Sequence, residues 1–150
     1  MFTRDAATVR EKLKRVGVAP TVQRMAIAAH LFKADHPTAA EVFAGVRADL
    51  PRVSQATVYN NLHTFVEAGL VREVRIGSDA PVRYDGNPRP HHHLLDTASG
   101  RLVDIPLDEV QISNRAELEQ KYNVTRITMV LEGSVSPTHD AVPGATNTGD

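Results

Sequence analysis

The chain has 150 residues, of which 41% are hydrophobic and 23% charged, and these values are ordinary for a globular protein. It contains no cysteine, which excludes disulfides, thiolate metal sites and cysteine nucleophiles, so any metal site must use His, Asp or Glu. The apolar runs are too short to span a bilayer, and residues 1–10 are charged where a secretory signal is apolar. We therefore expect a cytoplasmic protein without a membrane partner.

The net charge of −1 is divided unevenly along the chain. Residues 1–77 hold 11 Lys and Arg against 7 Asp and Glu, whereas residues 78–150 hold 6 against 11. A basic half joined to an acidic half is typical of a nucleic-acid reader attached to a second domain, although such a division also arises by chance.

Four helical patterns open the chain. The first covers residues 5–16, and Gly17 ends it. Thr21 is a suitable N-cap for the second helix, and Thr38 with Glu41 forms a capping-box pattern at the start of the third. These short amphipathic segments predict a small helical domain.

The fourth helix, residues 55–68, has the polar surface that a recognition helix needs. Ser54 is its predicted N-cap and Gly69 the residue that ends it. Its polar face carries hydrogen-bonding side chains without negative charge, which suits base edges and phosphates in a major groove. A solvated face, with Tyr59 packed on its own domain, is the alternative. The predicted DNA contacts are Gln55, Thr57, Tyr59, Asn60 and Asn61, with Arg24 and Arg52 on phosphates.

A period of two follows the fourth helix and predicts two strands, at residues 70–76 and 81–84. Helices followed by a two-stranded hairpin are the layout of a winged helix-turn-helix. In that arrangement the hairpin would touch the sugar-phosphate backbone through Arg72, Arg75 or Arg83.

The turn-rich segment 85–90 predicts a hinge between a DNA-binding domain at 1–84 and a second domain at 91–133. In the second domain we expect strands at 91–96, 101–105 and 124–132. A helix is expected at 114–122, with Asn114 and Glu117 as its capping box. A unit of about 45 residues is too small to bury a stable core alone, so we expect it to dimerise. The predicted fold is α+β, a winged helix-turn-helix plus a small α/β dimerisation domain, with a disordered tail at 134–150.

Three of the seven histidines are consecutive and begin a predicted strand. Alternation along the strand sends His91 and His93 to one face and His92 to the other. Nitrogen and oxygen ligands suit Fe²⁺, Mn²⁺, Zn²⁺ or Co²⁺ without choosing among them, and a solvated strand end is the alternative. The candidate ligands from the two halves are His36, Asp85, His91, His93 and Asp104.

Motifs of enzymes are missing from the sequence. It has no His-Glu-x-x-His, no glycine-rich phosphate loop and no pairing of a nucleophile with a base. We therefore expect a protein that is not an enzyme.

Several segments resemble the ferric uptake regulator (Fur) family. The resemblance covers roughly residues 6–133, and the motifs occur in the family's order. The matching segments are 21–24, 36–41, 53–62, 65–71, 83–85, 91–93 and 100–104.

The resemblance implies a homodimer that binds pseudo-palindromic operator DNA and represses transcription when its regulatory metal is bound. One Fe²⁺ or Mn²⁺ per protomer is implied, with Zn²⁺ as a substitute in vitro. Ligands from both halves of the chain would fix the angle between them, which is a physical basis for a switch. Carried over position by position, the ligands are His36, Asp85, His91, His93 and Asp104.

Two departures from the family's pattern concern its other metal sites. The family holds a structural zinc with two Cys-x-x-Cys pairs, but here Asp96 and Ser99 stand at the first pair and residues 131–134 contain no cysteine. We predict no structural zinc. An auxiliary metal or haem site would have only His92 and Glu109.

The resemblance is compatible with more than one signal for the regulator. Asp85, Asp104 and Asn61 resemble the peroxide-sensing branch, in which bound Fe²⁺ reacts with peroxide and a ligand histidine is oxidised, here His36 or His91. The cysteine-free histidine run also resembles the iron response regulators, which sense iron status through haem. Further alternatives are an Fe- or Mn-responsive repressor without peroxide sensing and, outside this class, a metal-storage protein or a metallohydrolase.

Overall fold

The computed structural model of the chain describes residues 2–135, with side chains from Asp5 onward. The chain divides between Arg89 and Pro90 into two compact units, here called unit 1 and unit 2. No helix in the described part of the chain combines the length and apolarity that a membrane crossing requires. Most of the predicted disordered tail, residues 136–150, lies outside the described residues.

Unit 1 begins with four helices, and side-chain caps fix the first turns of the second, third and fourth. The Ser54 hydroxyl accepts a hydrogen bond from Thr57 N (3.1 Å), and Thr38 and Glu41 make both bonds of a capping box. The caps predicted at Thr21, Thr38 and Ser54 are thereby confirmed, as is Gly69, whose φ of +80° suits the residue after a helix. The helices are α1 (Phe2–Arg15), α2 (Val22–Lys33), α3 (Ala39–Asp49) and α4 (Gln55–Glu67).

The apolar faces of these helices form one core. Each Val, Leu or Phe side chain removed from water stabilises the fold by roughly 1.5–3 kcal/mol, before conformational entropy is subtracted. Together the buried side chains hold α4 against α2 and α3 and leave its polar face outward. They include Leu13, Ile27, Leu31, Val42, Val46, Val58, Leu62 and Phe65.

An antiparallel hairpin, the wing, follows α4 and consists of β1 (Arg72–Val74) and β2 (Arg83–Asp85). Both strands differ from the predicted bounds. Asp85 was expected in the hinge but ends β2, because the hairpin pairs it with Arg72 and the adjacent Tyr84 N–H donates to Pro37 O (2.9 Å). The winged helix-turn-helix itself is confirmed.

Unit 2 contains a three-stranded sheet of order β4-β3-β5. β3 is antiparallel to β4 and parallel to β5, so the helix before β5 belongs to a crossover connection. The elements are β3 (His91–Asp96), β4 (Leu102–Pro106), a 3₁₀ turn (Leu107–Glu109), α5 (Arg115–Tyr122) and β5 (Val130–Gly133).

Two details of the predicted second domain are wrong. Asn114 precedes α5 with φ −107° and ψ 26° and makes no side-chain cap bond, so the capping box with Glu117 does not form. The last strand has four residues, because its register on β3 begins only at Val130 opposite His93. The β-branched composition of residues 124–129 favours a strand, but strand structure requires a partner.

Candidate metal centre and nucleic-acid interface

Unit 2 brings two imidazoles and a carboxylate together on one face of its sheet; we call His91, His93 and Asp104 the imidazole cluster. Because side chains alternate along β3, the two histidines share a face, and the β3–β4 register places Asp104 directly opposite His93. The two Nε2 atoms lie 3.0 Å apart. Asp104 Oδ1 lies 3.3 Å from His91 Nε2 and 3.6 Å from His93 Nε2.

The geometry of the imidazole cluster suits a transition-metal cation. The rings meet edge to face at 79°, and both histidines are buried. Two neutral imidazoles whose Nε2 atoms point at one place present lone pairs there, with at most a shared proton between them. A divalent cation can bind at that place, because two nitrogens and a carboxylate oxygen are ligands that Fe²⁺, Mn²⁺ and Zn²⁺ accept.

Unit 1 carries a second pair of candidate ligands. His36, in the loop between α2 and α3, has its Nε2 atom 3.7 Å from Asp85 Oδ2 at the end of β2, and both side chains are buried. Asp85 Oδ1 accepts a hydrogen bond from Asn87 N (2.9 Å), which orients the carboxylate. The five predicted ligands therefore lie in two groups, one in each unit, and all but the half-buried Asp104 are buried.

His92 has a different environment from its neighbours. It is buried on the opposite face of β3, and its Nδ1 accepts a hydrogen bond from Met129 N (3.1 Å). A neutral imidazole that accepts at Nδ1 carries its proton on Nε2, so neither nitrogen presents a lone pair to a metal. Burial, then the nearby charge of Arg115, lowers the pKa of His92, which favours the neutral ring. This arrangement does not favour an auxiliary or haem site with the exposed Glu109.

Three of the predicted DNA contacts lie on the outer face of α4. Gln55, Tyr59 and Asn60 are exposed, and 40% of the Tyr59 surface is accessible. Thr57 is half-buried and its hydroxyl lies 2.8 Å from that of Ser54. The accessible part of the Tyr59 ring is available to a partner outside unit 1.

Of the three remaining predicted contacts, Arg24 and Asn61 are hydrogen-bonded to each other. Arg24 Nε donates to Asn61 Oδ1 (3.1 Å), and Asn61 Nδ2 donates to Thr57 O (2.9 Å). Both ends of the Asn61 amide are therefore engaged inside unit 1, where they connect α2 to α4. Arg52, in contrast, is exposed just before α4.

Arg83 is a residue whose role the sequence did not reveal. It was one of three arginines, with Arg72 and Arg75, of which any could touch the sugar-phosphate backbone, and its guanidinium donates to His36 O (3.1 Å). A contact between residues 47 positions apart has no local sequence signal.

A winged helix-turn-helix joined to a small β-sheet unit with clustered imidazoles and carboxylates defines a class of protein, the metal-responsive transcriptional regulators. The family model described as the ferric uptake regulator family matches residues 15–132. The chain belongs to that family.

Individual relatives agree with this assignment. The peroxide-responsive repressor PerR of Staphylococcus aureus (strain USA300) is 35% identical over 123 residues, which are 81% of this chain and 82% of the relative. A solved zinc-bound manganese uptake regulator is 26% identical with TM-score 0.70, covering 86% of this chain and 99% of that one. The ferric uptake regulator of Vibrio cholerae is 25% identical with TM-score 0.67, covering 84% and 98%.

The predicted fold class is thus confirmed, and so is the resemblance to the Fur family. The relatives that the chain resembles are transcriptional regulators. The assignments of individual ligands and DNA contacts remain predictions.

Proposed function

We propose that the chain is a homodimeric repressor that binds palindromic operator DNA when Fe²⁺ or Mn²⁺ occupies one regulatory site per protomer. The proposed ligands are the imidazole cluster together with His36 and Asp85 of unit 1. We further propose that peroxide is the signal that releases the repressor from DNA.

One observation carries the metal site: His91 and His93 direct their Nε2 atoms to one place, 3.0 Å apart, beside the Asp104 carboxylate. Two basic nitrogens held this close would be unfavourable without a cation or proton between them, since their lone pairs repel. His36 and Asp85 are included among the proposed ligands because they match the family's ligand positions in the resemblance.

Peroxide sensing is supported by the 35% identity to a peroxide-responsive repressor. Bound Fe²⁺ would supply the redox chemistry by which peroxide adds an oxygen atom to a ligand ring. An oxidised ring at His36 or His91 would lose the lone pair that binds the metal. The remaining ligands would then hold the cation more weakly, so a redox signal would become the loss of the DNA-binding form.

The experiment measures DNA binding by the purified protein under three conditions. Duplexes are first enriched from a random pool with Mn²⁺-loaded protein, and affinities are then compared without metal, with Mn²⁺, and with Fe²⁺ before and after a peroxide pulse. Mass spectrometry follows the peptides containing His36 and His91. We expect metal-dependent binding that peroxide abolishes only with Fe²⁺, together with a gain of one oxygen on either peptide.

A ligand variant and a control variant test whether the response to metal depends on the imidazole cluster. His91→Ala should lose metal-dependent DNA binding, whereas His63→Ala, at an exposed histidine near the end of α4, should retain the response to metal. Equal DNA affinity with and without Mn²⁺ or Fe²⁺ in the wild type would overturn the proposal.

A metal-status repressor without peroxide sensing is the second candidate, favoured by the likeness to a manganese uptake regulator. It predicts Fe²⁺-dependent binding that survives peroxide, with unmodified histidines. A haem-sensing regulator predicts instead a shift of the Soret band on adding haem that His92→Ala abolishes.

A further inference from the structure

The loop that carries His36 has an unusual backbone. His36 has a φ of +45°, in the left-handed region that residues other than glycine rarely adopt. Pro37 follows it, and a residue before proline ordinarily takes extended backbone. Such a conformation persists only where the surrounding structure holds it in place.

The wing supplies the contacts that hold this loop. The Arg83 guanidinium donates to His36 O (3.1 Å), and the next residue, Tyr84, donates its backbone N–H to Pro37 O (2.9 Å). Thr38 and Arg83 also form an isolated antiparallel bridge. The Tyr84 bond and the bridge are backbone interactions that many sequences could make, whereas the bond to His36 O depends on the arginine side chain.

We infer that Arg83 is a positioning residue for the regulatory metal: it holds His36 in its left-handed conformation, and so directs the imidazole toward Asp85. The inference rests on the proposed function, because it requires His36 to be a ligand. With the bond, His36 Nε2 lies 3.7 Å from Asp85 Oδ2. Without it, the loop can relax toward extended backbone, which turns the Cα–Cβ bond and moves the ring.

The same position in the wing has an obvious alternative role, a contact with a DNA phosphate. Arg83 is half-buried and its bond to His36 O is part-buried, whereas Arg72 and Arg75 of the same hairpin are exposed. An arginine engaged with a carbonyl inside its own unit has fewer donors available to a phosphate. The two roles differ in a measurable way, because a phosphate contact does not change metal affinity without DNA.

The test measures Mn²⁺ affinity of the full-length protein, without DNA, by calorimetry. Arg83→Ala should weaken Mn²⁺ binding by about 10- to 100-fold, the usual effect of removing a group that orients a ligand. Arg10→Ala, which removes the same charge from an exposed position on α1, should bind as the wild type does. If Arg83→Ala does not fold, Arg83→Met keeps the apolar stem, and the same loss is expected.

A double-mutant cycle and a spectrum distinguish positioning from general damage. If Arg83 acts through His36, Arg83→Ala should cost nothing further in a His36→Ala background. The visible spectrum of Co²⁺-loaded Arg83→Ala should shift from that of the wild type to that of His36→Ala. Wild-type affinity in Arg83→Ala, or additive losses in the cycle, would overturn the inference while leaving the metal site intact. A wild-type protein that binds neither Mn²⁺ nor Co²⁺ would instead overturn the proposed function.

Discussion

Asp104 is the acidic member of the imidazole cluster, and its carboxylate lies 3.3 Å from His91 Nε2. Asp104→Asn preserves the shape of the side chain but removes the charge that offsets a cation. We expect Mn²⁺ affinity to fall by at least about 10-fold, the lower value found for groups that only orient ligands. Calorimetry measures the loss. Asp108→Asn, an exposed carboxylate in the 3₁₀ turn, is the control, and equal affinities in the two variants would contradict the assignment.

Gly86 follows Asp85 and lies against an aromatic ring. A Cβ built on Gly86 would come within 2.8 Å of two carbons of Phe32, so Gly86→Ala must displace either the ring or the backbone beside Asp85. We expect the free energy of unfolding to fall by about 1–3 kcal/mol, as is usual for overpacking. Urea denaturation followed by circular dichroism measures it.

The partner of the clash provides the control for Gly86→Ala. Leucine is smaller than phenylalanine, so Phe32→Leu should make room for the added methyl group. The double variant Gly86→Ala/Phe32→Leu should therefore lose less free energy of unfolding than the sum of the two single variants. Gly133→Ala, whose Cβ would lie at an ordinary 3.8 Å from Leu94, should be nearly neutral. A neutral Gly86→Ala would show that this close approach is relieved without cost.

Some contacts of the candidate site could be predicted from the sequence and others could not. Alternation along β3 is sufficient to place His91 and His93 together, and the structure does so. The sequence could not show that His92 accepts a hydrogen bond from Met129 N, or that Arg83 holds His36 O, because these contacts join residues 37 and 47 positions apart.

At the scale of elements, two helices form a matched pair for testing caps. The Thr38 hydroxyl accepts from Glu41 N (3.2 Å) at the start of α3, while Asn114 makes no side-chain cap bond at the start of α5. We expect Thr38→Ala to lower the free energy of unfolding by about 1 kcal/mol and Asn114→Ala to have little effect. Urea denaturation compares them. Equal losses would mean that the two caps contribute alike.

Side-chain hydrogen bonds hold the β3–β4 turn. The Ser99 hydroxyl donates to Asp96 Oδ2 and, with a smaller contribution from Ala98 N–H, lowers the pKa of Asp96. Thr97 N–H donates to Gly133 O (2.8 Å), which attaches the turn to the end of β5. Strands of unit 2 are thus joined here without any cysteine.

A pH dependence follows from the lowered pKa of Asp96. The folded pKa lies below the unfolded one, so the contribution to stability is complete above the unfolded pKa and is lost as pH falls through the folded pKa. Ser99→Ala should raise the pKa of Asp96, as measured by an NMR titration of its carboxyl carbon. Ser113→Ala, an exposed serine of the same unit, should leave it unchanged. An unmoved titration in Ser99→Ala would contradict the role of the hydroxyl.

Elements with local signals were the ones that sequence could predict. The caps at Ser54 and Thr38 depend on residues three positions apart, and both form as expected. The ends of β1, β2 and β5 were predicted poorly, because a strand extends only as far as its partner allows. Asn114 failed for a related reason: the pattern was present, but the backbone before α5 does not have the extended conformation of an N-cap.

At the scale of the whole molecule, the proposed site requires donors from both units, and this requirement can be tested by hydrogen exchange. Mn²⁺ at 100 times its Kd stabilises the form that binds it by about 2.7 kcal/mol. If unit 1 contributes ligands, amide exchange should slow in β2 (Arg83–Asp85) as well as in β3 (His91–Asp96). His36→Ala should keep part of the protection in β3, because the imidazole cluster remains, and should weaken the protection in β2, where Asp85 would be the ligand left from unit 1. Protection confined to β3 in the wild type would mean that the metal is held by unit 2 alone, and the proposal that metal fixes the angle between the two halves would then have no physical basis.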